Sequence, residues 1–524
     1  MTSVRAVTWR ELRASTVLVS VLVAGVVAIG LQSFNASGGA IGMAGLIPLV
    51  RNPAVAALYG RVATLDNGGV FVVWKMGTFL LLTVAVWAAL GATRATRSHE
   101  DDGSWDVLVI GRRDRFSVLR TTTLVLAETG VVVGTASTLV LLVGGQSPLG
   151  SLYFGLGVVA AAWSGAVAGL LCAQVAAPRR SASQAAMFVV VVAFFLRVIA
   201  DASASTLWLR DLSFFGWVEK VGAFQPSDPP ALIPALAGPV LVVAVVWWLQ
   251  GRRDAGGALW IHADSAAARP LLLRSAWTFA WRERTSVWRW WTAGLFAFGM
   301  ILGYLTHSLV ALASTDPGYV ELLNRFGFGA MVTGVGFIAL SAEVISVAFT
   351  FLVMSWIASV ASDEVKGRLD VAWATGPPRS QWVMSVVVSA LAAVTCAGAA
   401  TTVGMWLGER WSGTTLSLWV VAQAVVSSLA LVPFFVGVAL WLVGRIPRVA
   451  FAIGSVFILV AYVVTALGPI LKWPTLVLDA DPFHYLRPVP VQTFDLTGLT
   501  GVTLVGVALA ALGLRHYLRR DVVA

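Results

Sequence analysis

The segment SHEDDGSWDV at residues 98–107 returns later in the chain as SDEVKGRLDV at residues 362–371. Each copy follows the second long apolar run of its half of the chain, and the two align without a gap. A pattern repeated in this way is the sequence signature of a repeated structural unit. The aligned pairs are Ser98 with Ser362, Glu100 with Glu364, Gly103 with Gly367, Asp106 with Asp370, Val107 with Val371 and Arg115 with Arg379.

The composition places this repeated unit in a membrane. The 524 residues are 58% apolar and only 12% charged, which leaves too little polar surface for a soluble protein. Apolar runs recur along the chain, each near the roughly 20 residues that cross a bilayer as a helix. The sequence therefore predicts an all-α integral membrane protein with twelve transmembrane helices. They are expected at 15–31, 70–92, 121–143, 152–175, 185–200, 231–249, 291–313, 332–360, 382–406, 417–443, 450–468 and 496–514.

Arginine is concentrated in alternate connections between these runs. Short cytoplasmic loops carry an excess of Lys and Arg, so both termini are predicted to be cytoplasmic. The net charge of +10 reflects this bias and contact with anionic lipid headgroups, and it predicts no nucleic-acid partner. The preference for Arg over Lys and the richness in Ala and Val indicate a high-GC bacterium, and therefore a bacterial plasma membrane.

Two shorter motifs extend the duplication. WRE at 9–11 precedes the first run and returns at 281–283 before the seventh, and RRD at 252–254 returns at 519–521. Because six spans bring each half back to its starting side, the halves are predicted to be parallel repeats related by an axis along the membrane normal. The predicted domains are a first six-helix repeat at 1–250, a cytoplasmic or interfacial linker with a connecting helix at 251–290, and a second six-helix repeat at 291–524.

The sequence lacks the motifs of nucleotide and metal chemistry. No glycine-rich loop ends in Lys followed by Ser or Thr, so the chain is predicted to have no ATP site of its own. Cys172 and Cys396 both fall in apolar runs, where a free Cys behaves as a small hydrophobe, and they predict neither a disulfide nor a metal site. We therefore expect no enzyme activity and no cofactor in this chain.

Each acidic segment is predicted to form a short helix that docks on a soluble partner. Ser98 and Ser362 stand where an N-cap would accept a backbone N–H, and acidic residues in a first turn complement the positive end of a helix. The helices are expected at 98–110 and 362–373, with an apolar face and an acidic rim that suit a groove on another protein. The rim comprises Glu100, Asp101, Asp106, Glu364 and Asp370.

With these motifs the chain resembles the ABC-2-type permeases, in particular the tetronasin-type exporters of polyketide antibiotics. The resemblance covers nearly the whole chain. It is carried by EDDG at 100–103 with Asp106, by DEVKGRLD at 363–370, by LSFFGWVE at 212–219, by DPFHY at 481–485 and by the RRD that ends each half.

The resemblance implies a type V exporter-like fold in which this one chain supplies both transmembrane halves. Two copies of a separate ABC ATPase subunit would bind ATP and Mg. Hydrolysis would then drive small hydrophobic or amphiphilic compounds, such as drugs and polyketide antibiotics, outward across the lipid bilayer by alternating access.

The resemblance also implies residue roles. Segments 98–110 and 362–373 would be the coupling helices, and 8–13 and 277–289 the connecting helices. The first copy has Ser104 where the second has Arg368, which predicts unequal coupling at the two ATPase subunits. The residues expected at the ATPase contact are Glu100, Asp101, Gly103, Asp106, Glu364, Gly367, Arg368 and Asp370.

Spans two and five of each half are expected to line the substrate path, by analogy with that family. A charge at membrane depth is costly, and Glu343 lies near mid-span without a partner in the sequence, so it is the preferred candidate for contact with a cationic or polar substrate. Glu128 ranks second because it lies within about two turns of Arg120. Arg197 and Asp201, four residues apart, are expected to form a structural ion pair. The aromatic candidates are Phe71, Trp74, Phe79, Phe337, Phe349, Phe457 and Tyr462.

Two other classes of protein fit parts of the sequence. A secondary multidrug carrier with twelve spans would be driven by protons through Glu128 and Glu343. Its Asp-Arg-x-Gly-Arg-Arg motif is not matched here, because Asp106 stands five residues before Gly111 rather than three. A non-transporting membrane scaffold would need the same partner without exporting anything. The duplicated acidic segments and the phrase at 212–219 favour the ATP-driven exporter.

Overall fold

Twelve long apolar helices dominate the fold. The computed structural model describes residues 2–520 except 44–45, 48–49, 51–52, 102, 104–113, 177–178, 203, 227, 253–274, 316, 326–328, 366–377, 414 and 469–472. Within these residues, twelve helices are long and apolar enough to cross a membrane, which confirms the prediction of an all-α membrane protein. In chain order, spans 1–12 are Val4–Ala36, Gly68–Asp101, Arg115–Val143, Pro148–Val175, Arg179–Asp201, Pro229–Gln250, Thr285–Thr315, Gly334–Ala361, Arg379–Ser412, Leu418–Arg445, Pro447–Thr465 and Leu496–Arg519.

The two predicted connecting helices differ in the structure. The first, at 8–13, is continuous with span 1, since one helix runs from Thr2 to Ala36. The second is a separate helix, Ala276–Glu283, whose N-cap Ser275 accepts a hydrogen bond from the backbone N–H of Thr278. Most of the predicted linker at 251–290 lies outside the described residues, so the proposed domain division stays a prediction.

The chain divides into two compact units, Met1–Ala266 and Ala267–Ala524. In the first unit, span 4 packs against spans 2, 3, 5 and 6, while span 1 packs against span 3 and span 2 against span 5. In the second unit, span 10 packs against spans 8, 9, 11 and 12, while span 7 packs against span 9 and span 8 against span 11. Counted from the first span of each unit, the same pairs of helices pack together.

Small residues let the second unit pack closely. A Cβ atom added to Gly303 of span 7 would lie 1.9 Å from the carbonyl oxygen of Met405, and one added to Gly408 of span 9 would lie 2.0 Å from that of Met300. Both contacts are far inside van der Waals distance, so these positions require glycine. Close approach of backbones at small residues is typical of helix pairs in membranes.

Span 2 contains two π-helical turns, Val73–Gly77 and Arg94–Ser98. Such turns are rare and occur frequently at functional sites. The first lies near the start of the span and the second near its acidic end. Short helices connect the later spans of each unit, among them Phe214–Lys220 between spans 5 and 6 and Pro482–Tyr485 between spans 11 and 12.

Candidate functional site

The acidic end of span 2 is held by a buried arginine. Arg97 is 2% exposed, and its Nη1 lies 2.6 Å from Oε2 of Glu100, while its Nε lies 3.4 Å from Oδ1 of Asp101. The other oxygen of Asp101 accepts a 2.7 Å hydrogen bond from the backbone N–H of Arg179, at the start of span 5. Two of the predicted coupling carboxylates therefore tie the end of span 2 to itself and to span 5.

Glu11 of the WRE motif ties span 1 to the same place. Its Oε1 lies 3.1 Å from Nε of Arg94, and its Oε2 lies 2.8 Å from Nε2 of His99. The Glu11 side chain is only 17% exposed, so these contacts are partly shielded from solvent. The end of span 2 is thus attached to spans 1 and 5 through polar contacts.

The acidic end of span 8 is braced in a similar way by two arginines. Nη2 of Arg284, which precedes span 7, donates to Oδ2 of Asp363 at 2.8 Å, and its Nε donates to Oγ of Ser359 at 2.9 Å. Arg520, which follows span 12, forms an ion pair with Glu364 through Nη2. The Glu364 side chain is 1% exposed. The end of span 8 is therefore linked to spans 7 and 12.

The predicted N-caps at Ser98 and Ser362 are wrong. Span 2 continues as a helix through Ser98 to Asp101, and the helix of span 8 continues through Ser362 to Val365. An N-cap residue has a non-helical backbone and stands just before the first helical residue. Ser98 and Ser362 are instead preceded by residues that are already helical. The prediction failed because each helix continues beyond the end of its apolar run.

The predicted acidic rim is also wrong for Glu100 and Glu364, whose side chains are only 9% and 1% exposed and lie in ion pairs. Gly103 is exposed and has a backbone φ of +68°, which favours glycine. The remaining predicted coupling residues lie outside the described residues. They are Asp106, Gly367, Arg368 and Asp370.

Glu128 is paired, although not with Arg120. Its Oε1 accepts from Nη2 of Arg5 at 2.8 Å and its Oε2 accepts from Nε1 of Trp9 at 2.7 Å. The pair is open to its surroundings, with side-chain exposures of 60% for Arg5 and 37% for Glu128. Glu128 therefore links span 3 to span 1, which gives it a structural contact in place of a free carboxylate.

At the opposite end of the first unit, the predicted pair of Arg197 and Asp201 belongs to a larger group. Nε of Arg197 lies 2.9 Å from Oδ2 of Asp201 and 2.8 Å from Oε2 of Glu219. Nε of Arg210 donates to Oδ1 of Asp201 at 2.6 Å. Nε and Nη2 of Arg61 donate to the backbone oxygen of Asp201 at 3.2 and 3.0 Å. We call these five residues the Arg197 cluster.

Three members of the Arg197 cluster were missed by the sequence analysis. Arg61, Arg210 and Glu219 lie between spans, and only the fold brings them to Arg197. Burial alone would raise the pKa of Glu219, but the adjacent guanidinium of Arg197, aided by Arg210, outweighs burial and lowers the pKa to about 2. Glu219 therefore stays ionised at ordinary pH. The sequence feature that could have pointed to Glu219 is the motif LSFFGWVE, which ends on this residue.

Two carboxyl groups within spans have no hydrogen-bond or ion-pair partner among the described residues. Glu343, in span 8, is half-buried and forms no ion pair or side-chain hydrogen bond within the described part of the chain. Glu409, near the end of span 9, is fully buried, and neither of its carboxylate oxygens has a hydrogen-bond partner there. Glu409 lies beyond the predicted run at 382–406 and was therefore overlooked. Burying a carboxylate without such a partner is costly, which marks both as candidates for proton or cation binding.

The predicted aromatic residues differ in their surroundings. Trp74 lines a cavity of about 60 Å³ in the first unit. Tyr462 packs its ring 6.1 Å from that of Phe483, centroid to centroid. Phe79 and Phe457 are exposed, which suits lipid contact as well as a substrate path. The buried members, which pack inside their own units, are Phe71, Trp74, Phe337 and Phe349.

Comparison with known proteins relates this multi-pass membrane chain to permeases of multidrug efflux systems. Residues 273–517 match the family described as "Multidrug efflux system permease Rv1217c, C-terminal domain". The chain is also similar to the multidrug efflux system permease protein Rv1217c of Mycobacterium tuberculosis, with 26% identity over 478 residues, covering 90% of this chain and 86% of that protein. These similarities support the prediction of a permease related to multidrug efflux.

Proposed function

We propose that this chain is the transmembrane permease subunit of an ATP-driven ABC exporter, of the ABC-2 type, in a bacterial plasma membrane. It moves hydrophobic or amphiphilic compounds, including drugs and polyketide antibiotics, out of the cell. Two copies of a separate ATPase subunit bind ATP and Mg and dock at the ends of spans 2 and 8, so that both termini are cytoplasmic. The observation that carries the proposal is the repeated acidic helix end, which in each copy is braced by ion pairs to neighbouring helices.

The packing of the two units supports two parallel repeats. Each unit has its fourth span at the centre, its first span on its third and its second span on its fifth. Each unit also ends its second span with carboxylates paired to arginine. Equivalent helices carrying equivalent acidic ends are what a fused pair of exporter halves requires.

The bracing suggests how docking would act on the spans. A force applied beyond Asp101 would be transmitted to span 5 through Arg179 and to span 1 through Glu11. A force applied beyond Glu364 would be transmitted to span 12 through Arg520. Rigid helices joined in this way move together, which is the kind of motion that alternating access uses.

The test uses charge reversal in the segments that follow the braced ends. Asp106→Lys and Asp370→Lys are expected to weaken binding of the ATPase and to abolish substrate-stimulated ATP hydrolysis in proteoliposomes, because docking on an acidic segment depends on its charge. Glu364→Lys is less informative, since Glu364 is buried and its loss would disturb folding. Asp228→Lys, an exposed charge reversal at the other end of the first unit, is the matched control. Unchanged hydrolysis in both variants would remove the coupling assignment.

A proton-coupled carrier is the competing proposal, and the unpartnered carboxyl groups of Glu343 and Glu409 are the observations that favour it. In the ATP-driven exporter, Glu343→Gln is expected to reduce transport of cationic substrates more than that of neutral ones, with ATP still required. Transport measured in proteoliposomes with a proton gradient and without ATP separates the two. Uptake under these conditions that is lost in Glu343→Gln or Glu409→Gln would establish the carrier.

A further inference from the structure

A small, partly open cavity lies next to the Arg197 cluster. Its volume is about 60 Å³, and it is formed by the start of span 2, the start of span 4, the end of span 5 and the helix Phe214–Lys220. It lies at the opposite end of the first unit from the acidic end of span 2. Its polar and aromatic lining includes Tyr59, Arg61, Trp74, Tyr153, Arg197 and Glu219.

The charges around this cavity do not balance. The cluster holds three guanidinium groups and two carboxylates, and both carboxylates are engaged by Arg197 and Arg210. Arg61 donates only to a neutral acceptor, the backbone oxygen of Asp201, among the described residues. A partly buried cation without a counter-ion favours an anion in the adjacent space.

Aromatic side chains form part of the cavity wall. Trp74 is 5% exposed, and its indole Nε1 is buried with no hydrogen-bond partner among the described residues. It lies in the π-helical turn Val73–Gly77, and Gly77 lines the same cavity. Because this N–H is buried out of reach of water, the Trp74 ring adds an aromatic surface to the wall and no hydrogen-bond donor to the cavity. Burial raises the pKa of Tyr59, which keeps its phenol protonated.

The backbone holds Arg61 at this cavity. Gly60 has a φ of +100°, and a Cβ there would lie 2.5 Å from Oε1 of Glu219 and 2.8 Å from Nη2 of Arg197. The backbone N–H of Arg61 donates to Oε1 of Glu219 at 3.1 Å. The backbone conformation that holds Arg61 at the cavity therefore requires glycine at position 60.

We propose that this cavity binds the carboxylate end of an amphiphilic export substrate, with Arg61 as counter-ion. A single water needs roughly 10–15 Å³ of such space, so the cavity admits a head group of a few atoms and leaves the apolar body outside. The aromatic rings of Tyr59 and Tyr153 line the cavity around that head group. This assignment rests on the proposed export function and names the substrate class. An anionic lipid phosphate offers the same chemistry, and the experiment separates the two sources.

The probes are dansyl-labelled undecanoic acid and its primary amide, which differ in charge and share the same body. Binding to the full chain is followed by fluorescence in phosphatidylcholine nanodiscs, without any ATPase. Arg61→Gln removes the charge, Arg61→Lys keeps it, and Trp74→Phe changes the aromatic wall without changing any charge. The matched controls are Arg13→Gln, at an exposed arginine, and Trp208→Phe, at an exposed tryptophan.

We expect the acid to bind saturably. Arg61→Gln should raise its Kd by about tenfold or more, because one charge-assisted hydrogen bond is lost. Arg61→Lys and Trp74→Phe should both retain most of the binding, and the amide should be nearly insensitive to Arg61→Gln. Equal weakening of acid and amide, or no Arg61-dependent binding of the acid, overturns the proposal. Displacement of the acid by phosphatidylglycerol added to the nanodiscs overturns the assignment to substrate in favour of lipid. None of these results depends on ATP-driven export, which the proteoliposome assay tests by itself.

Discussion

The ion pair of Glu364 and Arg520 should contribute more to stability than any exposed pair in the chain. The side chains are 1% and 15% exposed, so removal of one partner leaves a charge that water reaches poorly. Breaking a buried pair by removing one partner costs about 3–5 kcal/mol. Because Arg520 is partly exposed and also lies over the Tyr517 ring, 4.9 Å from its centroid, we take the lower end, about 3 kcal/mol, for Glu364→Gln.

The assay is a double-mutant cycle on the free energy of unfolding in mixed micelles of dodecylmaltoside and SDS, followed by circular dichroism. The variants are Glu364→Gln, Arg520→Gln and the double substitution. We expect a coupling energy of about 2 kcal/mol or more, since the double variant leaves no unpaired charge. Asp211 and Lys220, with side-chain exposures of 61% and 33%, form the matched exposed pair and should couple by about 0–1 kcal/mol. Equal coupling in the two pairs would refute the bracing of span 8.

Three further predictions concern single positions. Glu128→Gln should lower the free energy of unfolding by less than about 1 kcal/mol, because its ion pair with Arg5 is exposed, and should leave transport unchanged. A loss of transport with normal stability would return Glu128 to the substrate path. The pKa of Glu219 is lowered from 4.5 to about 2, so its contribution to stability should be complete above about pH 4.5 and should be lost as the pH falls towards 2; unfolding measured across this range checks it, and a flat profile contradicts it. Gly303→Ala should destabilise by about 1–3 kcal/mol through overlap with the Met405 carbonyl. Gly294→Ala, with no atom within 4 Å of the added Cβ, should stabilise by up to about 1 kcal/mol; effects of equal sign would contradict the packing account.

The spans were predictable because their signal is local. A bilayer demands long apolar helices, and hydropathy alone therefore located all twelve. The pair of Arg197 and Asp201 was predictable for a similar reason, because residues four apart share a helix face. Arginine-rich loops predicted the orientation of the termini, which stays a prediction.

The remaining contacts depended on parts of the chain far apart in sequence. Nothing near Glu128 indicates that Arg5 and Trp9 will reach it, since the packing of span 1 on span 3 decides this. Glu219 joins Arg197 only because the helix Phe214–Lys220 folds back on span 5. The error at Ser98 has a different cause. Polar residues there end the apolar run, yet the buried Arg97 and its carboxylate partners keep the chain helical beyond it.

The central claim is that this chain works with a separate ATPase, and the stoichiometry of the complex tests it most directly. The chain would be purified gently from its native membrane, and the proteins that accompany it would be identified and counted by native mass spectrometry. The account predicts an ATPase with Walker motifs at two copies per chain, lost when Asp106 and Asp370 are both replaced by Lys. A chain that is monodisperse and alone, and that transports drugs on a proton gradient, would contradict it.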